Sequence, residues 1–324
     1  MSDAAIGPQQ QETPRPLDPR KFRDPELTAG GEKRAQVAPG ELRTLWFNTG
    51  TLCNLACRGC YIESTPTNDR LAYLSAAEAR SFLDEIAREK LPTREIGFTG
   101  GEPFMNPDII EMIGDALVRG FRALVLTNAM KPMMRHEAAL MDLRVRHGEK
   151  LIIRVSLDHY GAALHQLERG KRTFEPTLDG LRFLSHNGFS VCAAGRTCWN
   201  EPEQELRHGY ARLFAGNGIA VDAFDPVALV LFPEMNETAD VPEITERCWS
   251  ILGVSPQDMM CASSRMVVKR KGAEHPVVLA CTLIAYDPRF EMGATLAEAS
   301  RPIALNHPHC ATFCVLGGGA CSRA

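Results

Sequence analysis

No stretch of the 324-residue chain approaches the roughly 18 consecutive apolar residues of a membrane span. The start, MSDAAIGPQQQETPRPLDPR, has neither the charged opening nor the apolar stretch of a secretory signal. Both lacks predict a cytoplasmic protein with no membrane partner. Cationic excess is missing too: 36 Lys and Arg stand against 40 Asp and Glu, a formal net charge of −4. No nucleic-acid partner is expected from that balance. Residues 1–40 hold a single aromatic, Phe22, beside six prolines and four glycines, which predicts a mostly disordered N-terminal tail.

Apolar residues make up 44% of the chain, enough for a sizeable core. There are eleven cysteines. In a reducing compartment these point to metal rather than to a disulfide framework. Nine of them fall in two groups. Cys53, Cys57 and Cys60 share the stretch TLCNLACRGCY, a C-x3-C-x2-C spacing, and Cys248, Cys261, Cys281, Cys310, Cys314 and Cys321 lie in the last quarter.

Between them, short apolar runs alternate with helical patterns. Strands are expected at 42–48, 94–100, 122–128, 150–158, 189–197 and 219–229. Helices are expected at 75–90, 107–120, 134–148, 173–188 and 201–218. Ser75 followed by Glu78 is a capping box for the first helix. Such β-α repeats imply an α/β fold with a parallel sheet and helices outside. Periodicity does not separate an open doubly wound sheet from a partial barrel, but in both the ligand sits beyond the carboxyl ends of the strands. That places the loops Thr49–Tyr61 (the cysteine loop), Thr99–Phe104 (with TGGEP), Thr127–Met130, Ser156–Tyr160 and Arg196–Asn200 on one face. After about residue 240 the rhythm stops, and a small cysteine-rich module is expected over 240–324.

Three thiolates on one loop suit three irons of a cubane cluster, leaving the fourth open. Structural zinc would need a ligand borrowed from elsewhere. In TGGEP, Gly100 and Gly101 let backbone approach a ligand closely.

CNLACRGCY, followed at successive strand ends by FTGGEP, LVLTN and VSLDH and then by LERG, resembles the radical S-adenosylmethionine (SAM) enzymes across about residues 44–230. The resemblance implies a partial (β/α)6 TIM-like barrel over 41–235. It also implies a 4Fe–4S cluster on Cys53, Cys57 and Cys60 whose open iron chelates SAM. Reductive cleavage would then give methionine and a 5′-deoxyadenosyl radical that abstracts a substrate hydrogen, with a reducing partner such as flavodoxin or ferredoxin. Carried over by residue, Tyr61 would lie near the adenine, and Gly100, Gly101 and Glu102 would meet the methionine amino group, largely through backbone. Asn128, Ser156 and Asp158 would lie near the ribose and carboxylate. Arg169 would bind the carboxylate, with Arg196 as its rival. His159 would face the substrate or simply cap a helix. Cys192 and Cys198 read as small buried groups, with Cys198 a possible hydrogen donor at the barrel mouth.

The tail resembles the SPASM/twitch extensions of peptide-modifying radical enzymes. That implies one auxiliary 4Fe–4S cluster with Cys261, Cys281, Cys310, Cys314 and Cys321 as candidate ligands, His307 and His309 as substitutes, and zinc as a competitor. Maturation of a peptide is the expected function. Small-molecule or cofactor biosynthesis is the alternative within the class, and a non-catalytic zinc or iron–sulfur protein is the alternative outside it.

Overall fold

A computed structural model describes residues 15–318. Its strands are β1 (Gln36–Val37), β2 (Thr44–Asn48), β3 (Glu95–Thr99), β4 (Arg122–Thr127), β5 (Leu151–Ser156), β6 (Ser190–Arg196), β7 (Leu229–Phe232), β8 (Ser264–Val268), β9 (Val277–Leu279), β10 (Glu291–Gly293) and β11 (Ile303–Ala304). The helices between β2 and β7 are α1 (Ala76–Arg88), α2 (Ile109–Val118), α3 (Lys131–Met134), α4 (Glu137–His147), α5 (Ala162–Arg169), α6 (Phe174–His186) and α7 (Glu203–Gly216). One nine-stranded sheet runs β10-β9-β8-β2-β3-β4-β5-β6-β7. Strands β2 to β7 are parallel and in chain order, with Leu45 opposite Ile96 and Val125 opposite Ile153. This is the succession an incomplete (β/α)6 barrel requires, and among the described residues no pairing joins the two sheet edges.

Local chemistry accounts for much of this. The Ser75 hydroxyl accepts the Glu78 N–H at 3.2 Å while the Glu78 carboxylate accepts the Ser75 N–H at 2.9 Å, so the expected capping box starts α1. The helix buries Ala79, Phe82, Leu83 and Ile86, and the Phe82 ring meets Phe47 of β2. Next along β2, Trp46 is fully buried opposite Gly97. A Cβ at Gly97 would come within 2.2 Å of the indole, so that glycine makes the room Trp46 fills.

Three expectations change. The sixth strand is not 219–229. The Asp222 and Asp225 carboxylates accept the N–H groups of Phe224 and Val227 at 2.9 and 2.8 Å, and these local turns outcompete a ladder until Leu229. The disordered tail expected over 1–40 is corrected for residues 15–40; residues 1–14 lie outside the described residues. β1 pairs antiparallel with β11, and Phe22 and Arg34 are buried. Composition missed this because the segment is held by edge pairing and one buried cation rather than by its own apolar content. Finally, the tail does not stand apart from the barrel: β8 pairs in parallel with β2 and carries β9 and β10 into the same sheet. No helix among the described residues is long and apolar enough to cross a membrane.

Candidate active site

The cysteine loop leaves β2 and is fastened first by backbone. The Gly101 N–H donates to the Gly50 carbonyl at 2.8 Å and the Glu102 N–H to the Leu52 carbonyl at 3.1 Å. Contact is this close because residues 100 and 101 lack side chains. A Cβ at Gly101 would stand 2.1 Å from the Leu52 oxygen, and one at Gly100, where φ is +136°, would stand 2.5 Å from the Gly50 oxygen. The glycine pair therefore seats the cysteine loop as well as opening to the cavity above it. Gly101→Ala is expected to cost about 1–3 kcal/mol by overpacking against backbone and to lower iron uptake on anaerobic reconstitution. Urea unfolding and iron analysis check both.

Cys53, Cys57 and Cys60 line one wall of a cavity of about 180 Å³ at the carboxyl ends of the strands. The Leu55 N–H points at Cys53 Sγ at 3.4 Å and the Ser64 N–H at Cys60 Sγ at 3.3 Å. Such donors fit sulfurs that carry negative charge. Burial pushes the Cys53 thiol up to about 12 and raises Cys57 as well, so metal binding must displace their protons. Among the described residues no three Cys, His, Asp or Glu side chains close on a point as around a single ion. A cubane asks for less, since each thiolate binds its own iron.

The strand ends supply the facing wall. Tyr61, Gly100, Gly101, Asn128, Ser156, Asp158, Arg169 and Arg196 all border the cavity. Asn128 donates from Nδ2 to Asn54 Oδ1 at 2.9 Å, tying β4 to the cysteine loop. Arg169 donates from Nη2 to Asp158 Oδ1 at 2.9 Å, and its Nε stands 2.9 Å from Oδ2 as an ion-pair contact without hydrogen-bond geometry. Arg196 donates from Nη1 to Glu168 Oε2 at 2.8 Å and lies against Gly59, where a Cβ would meet the guanidinium at 2.3 Å. Helix α5, which carries both Glu168 and Arg169, is too short to stand out by periodicity. It also anchors the loop, because the Glu168 carbonyl accepts the Arg58 N–H at 2.7 Å.

The Glu102 side chain does not border the cavity. It is buried beneath the cavity and accepts from the Thr127 hydroxyl (2.8 Å) and from the N–H groups of Asn128 (2.9 Å) and Phe104 (3.2 Å). Burial pushes its carboxyl up to about 7 against the pull of those donors. Its role in the structure is to brace the ends of β3 and β4. His159 is also off the cavity. Its Nδ1 accepts the Gly161 N–H at 2.8 Å ahead of α5, so Nε2 holds the proton and donates to Glu201 at 2.9 Å. The N-cap of α5 is Gly161 and no side chain caps the helix, so His159 lies just ahead of it, held on Glu201. Cys198 does not line the cavity either, and burial pushes its thiol up to about 11.

The sequence did not point to the apolar side of the cavity, formed by Phe232, Met235, Leu283 and Phe313. Phe232 and Phe313 stack at 5.5 Å, joining the end of β7 to the tail. No local motif could have paired residues so far apart along the chain.

A second, smaller cavity lies in the tail. Cys261, Cys281, Cys310, Cys314 and His309 border it, together with Leu283, which also borders the first cavity. The π-helical turn Cys310–Val315 gives two cysteines to one cavity and Phe313 to the other. Burial pushes the Cys261 thiol up to about 11 and the Cys310 thiol well above its ordinary value. Cys321 lies outside the described residues.

Three thiols over the carboxyl ends of an open parallel barrel mark an enzyme whose ligand sits across the strand ends. The chain belongs to the radical SAM superfamily, whose family model matches residues 47–210. Over 174 residues it is 29% identical to the antilisterial bacteriocin subtilosin biosynthesis protein AlbA of Bacillus subtilis (strain 168), covering 52% of this chain and 37% of AlbA. It is 29% identical over 140 residues to the mycofactocin maturase MftC of Mycolicibacterium smegmatis, covering 43% of this chain and 33% of MftC. It is 31% identical over 137 residues to an AdoMet-dependent heme synthase of Oleidesulfovibrio alaskensis, covering 42% and 33%. The chain thus spans about a third of the length of these relatives. In fold it resembles Streptococcus suis SuiB bound to S-adenosylmethionine, with TM-score 0.57 and 12% identity over 78% of this chain and 63% of SuiB. It also resembles anSMEcpe with bound AdoMet, with TM-score 0.56 and 13% identity over 79% of each chain.

Proposed function

We propose that this protein reductively cleaves SAM at a 4Fe–4S cluster held by Cys53, Cys57 and Cys60 and uses the resulting radical to modify a peptide. The observation that carries this is the convergence of the three thiols with Gly100, Gly101, Asn128, Ser156 and two arginines on one cavity. When bound, the cluster supplies the electron that breaks the sulfonium bond of SAM and so generates a hydrogen-abstracting radical. The protein's share is placement and exclusion of water. Arg169 donates Nη2 to Asp158 and Arg196 donates Nη1 to Glu168, so each guanidinium keeps donors for the SAM carboxylate. Arg169, whose Nε is buried without a hydrogen bond, is the first candidate, with Arg196 as its rival. Asn128, Ser156 and Asp158 are the polar groups for the ribose, Tyr61 borders the adenine, and the backbone of Gly100 and Gly101 faces the amino group. Phe232, Met235, Leu283 and Phe313 close the opposite side with apolar surface that keeps water from a reactive intermediate.

In the tail, Cys261, Cys281, Cys310 and Cys314 would hold an auxiliary 4Fe–4S cluster, with Cys321 a further candidate. Four thiols around one cavity match the four irons of a cubane. Leu283 borders both cavities, and the auxiliary cluster would bind substrate or take an electron after abstraction. A flavodoxin or ferredoxin would supply reducing equivalents. The peptide reading rests on the AlbA and MftC likenesses. The heme synthase likeness supports a second reading, a small-molecule substrate.

Anaerobically reconstituted protein with dithionite and SAM tests the activity: 5′-deoxyadenosine is expected, and its absence sinks the proposal. Mass analysis of a short peptide encoded beside this gene, co-expressed with the enzyme, separates the two substrates.

A further inference from the structure

The tail cavity contains one polar group that four thiols leave unused. His309 is 6% exposed and borders the cavity with Cys261, Cys281, Cys310 and Cys314. Its Nδ1 is buried and has no hydrogen-bond partner among the described residues. The neighbouring His307 is different: its Nδ1 accepts the His309 N–H at 3.1 Å, and its Nε2 stands 3.6 Å from Glu237. Of two adjacent buried imidazoles, one has its Nδ1 hydrogen-bonded, and the other, which borders the thiol-lined cavity, has its Nδ1 unpaired. A buried polar nitrogen without a partner is uncommon in a folded protein and calls for a ligand or an ion to complete it.

Two roles would complete it. As a ligand, His309 would be a fifth donor for a cluster whose four irons the four thiols already fill. As the Nδ1–H tautomer, it would donate to a thiolate or sulfide of the centre. Hydrogen bonds to cluster sulfurs withdraw negative charge and favour the reduced state, so they raise the reduction potential.

We propose that His309 is a positioning residue of the auxiliary centre, donating Nδ1–H to a cluster sulfur and raising the centre's reduction potential. This rests on the auxiliary cluster proposed above. The consequence is an auxiliary cluster poised to accept an electron from the neighbouring cavity rather than to donate one.

The test uses the full chain carrying Cys53→Ala, Cys57→Ala and Cys60→Ala, so that only the auxiliary centre loads. It is reconstituted anaerobically with iron and sulfide and titrated potentiometrically by EPR. His309→Leu is expected to keep the same iron content and to shift the midpoint to a more negative value. His309→Gln, which retains an N–H, is expected to shift it less. Pulsed EPR on protein labelled with 15N-histidine needs no folded variant, and a weakly coupled nitrogen is expected. An unchanged midpoint in His309→Leu, a strongly coupled ligand nitrogen, or no coupled nitrogen at all overturns the role of His309 while leaving the cluster standing. No iron bound by the parent would remove the auxiliary cluster itself, and this inference with it.

Discussion

Cys57→Ala is expected to reduce 5′-deoxyadenosine formation to background and to remove about four irons per chain, one cubane's worth. The size of the effect follows from the loop. Among the described residues its three thiols are the only cysteines bordering the main cavity, so two remain there after the substitution and none stands by to replace the third. The fold should survive. Cys57 is half-buried, and the loop's register is set by the Gly50 and Leu52 carbonyls on the N–H groups of Gly101 and Glu102, not by the thiol. Unchanged circular dichroism with lost iron and lost product is the expected pattern. A Cys57→Ala protein that still makes 5′-deoxyadenosine would show that the loop is not the cluster site, and the proposed activity would have to be placed elsewhere.

Arg34→Ala is expected to destabilise the protein by about 3–5 kcal/mol, the usual consequence of stranding one partner of a buried ion pair. Arg34 has no exposed surface. Its guanidinium donates to the Asp24 carbonyl at 2.7 Å, the Leu27 carbonyl at 2.9 Å, the Leu305 carbonyl at 3.3 Å and the Glu243 carboxylate at 2.6 Å. Glu243 also accepts the N–H groups of Phe22 and Ala29, at 2.7 and 2.6 Å. One side chain therefore ties the N-terminal segment to the loop before residue 245 and to Leu305, which borders the tail cavity. Urea unfolding measures the loss, and the variant should also retain less iron in the tail. A midpoint unchanged from the parent would mean that residues 15–40 contribute little to the folded state.

The same pair sets a pH dependence. Burial alone would raise the Glu243 carboxyl, but the N–H groups of Phe22 and Ala29 and the Arg34 guanidinium outweigh it and hold the group below its ordinary value. A carboxyl depressed in the folded state contributes stability that is fully present above its unfolded value and is lost as pH falls through the folded one. Acid unfolding should therefore loosen this junction, and Arg34→Ala should move that loss to higher pH.

Much of this protein is legible in its sequence alone. The capping box at Ser75 and Glu78, the helical spacing of Ala79, Phe82, Leu83 and Ile86, and five of the six barrel strands follow from interactions within a few residues of each other along the chain. The C-x3-C-x2-C loop and the strand-end motifs likewise carry the superfamily, because three thiols on one loop need no partner from elsewhere to define a chemistry. Only the tertiary structure decided the rest, since each remaining feature depends on groups distant in sequence. Gly101 is small because Leu52 lies on it, and Gly97 is small because Trp46 fills the space beside it. Glu102 braces two strands once it is buried. Leu283 and Phe313 line the active cavity because the tail returns over the barrel mouth. The N-terminal segment, poor in apolar residues by composition, is ordered by Arg34, whose buried charge is stable only because four acceptors from three parts of the chain meet it.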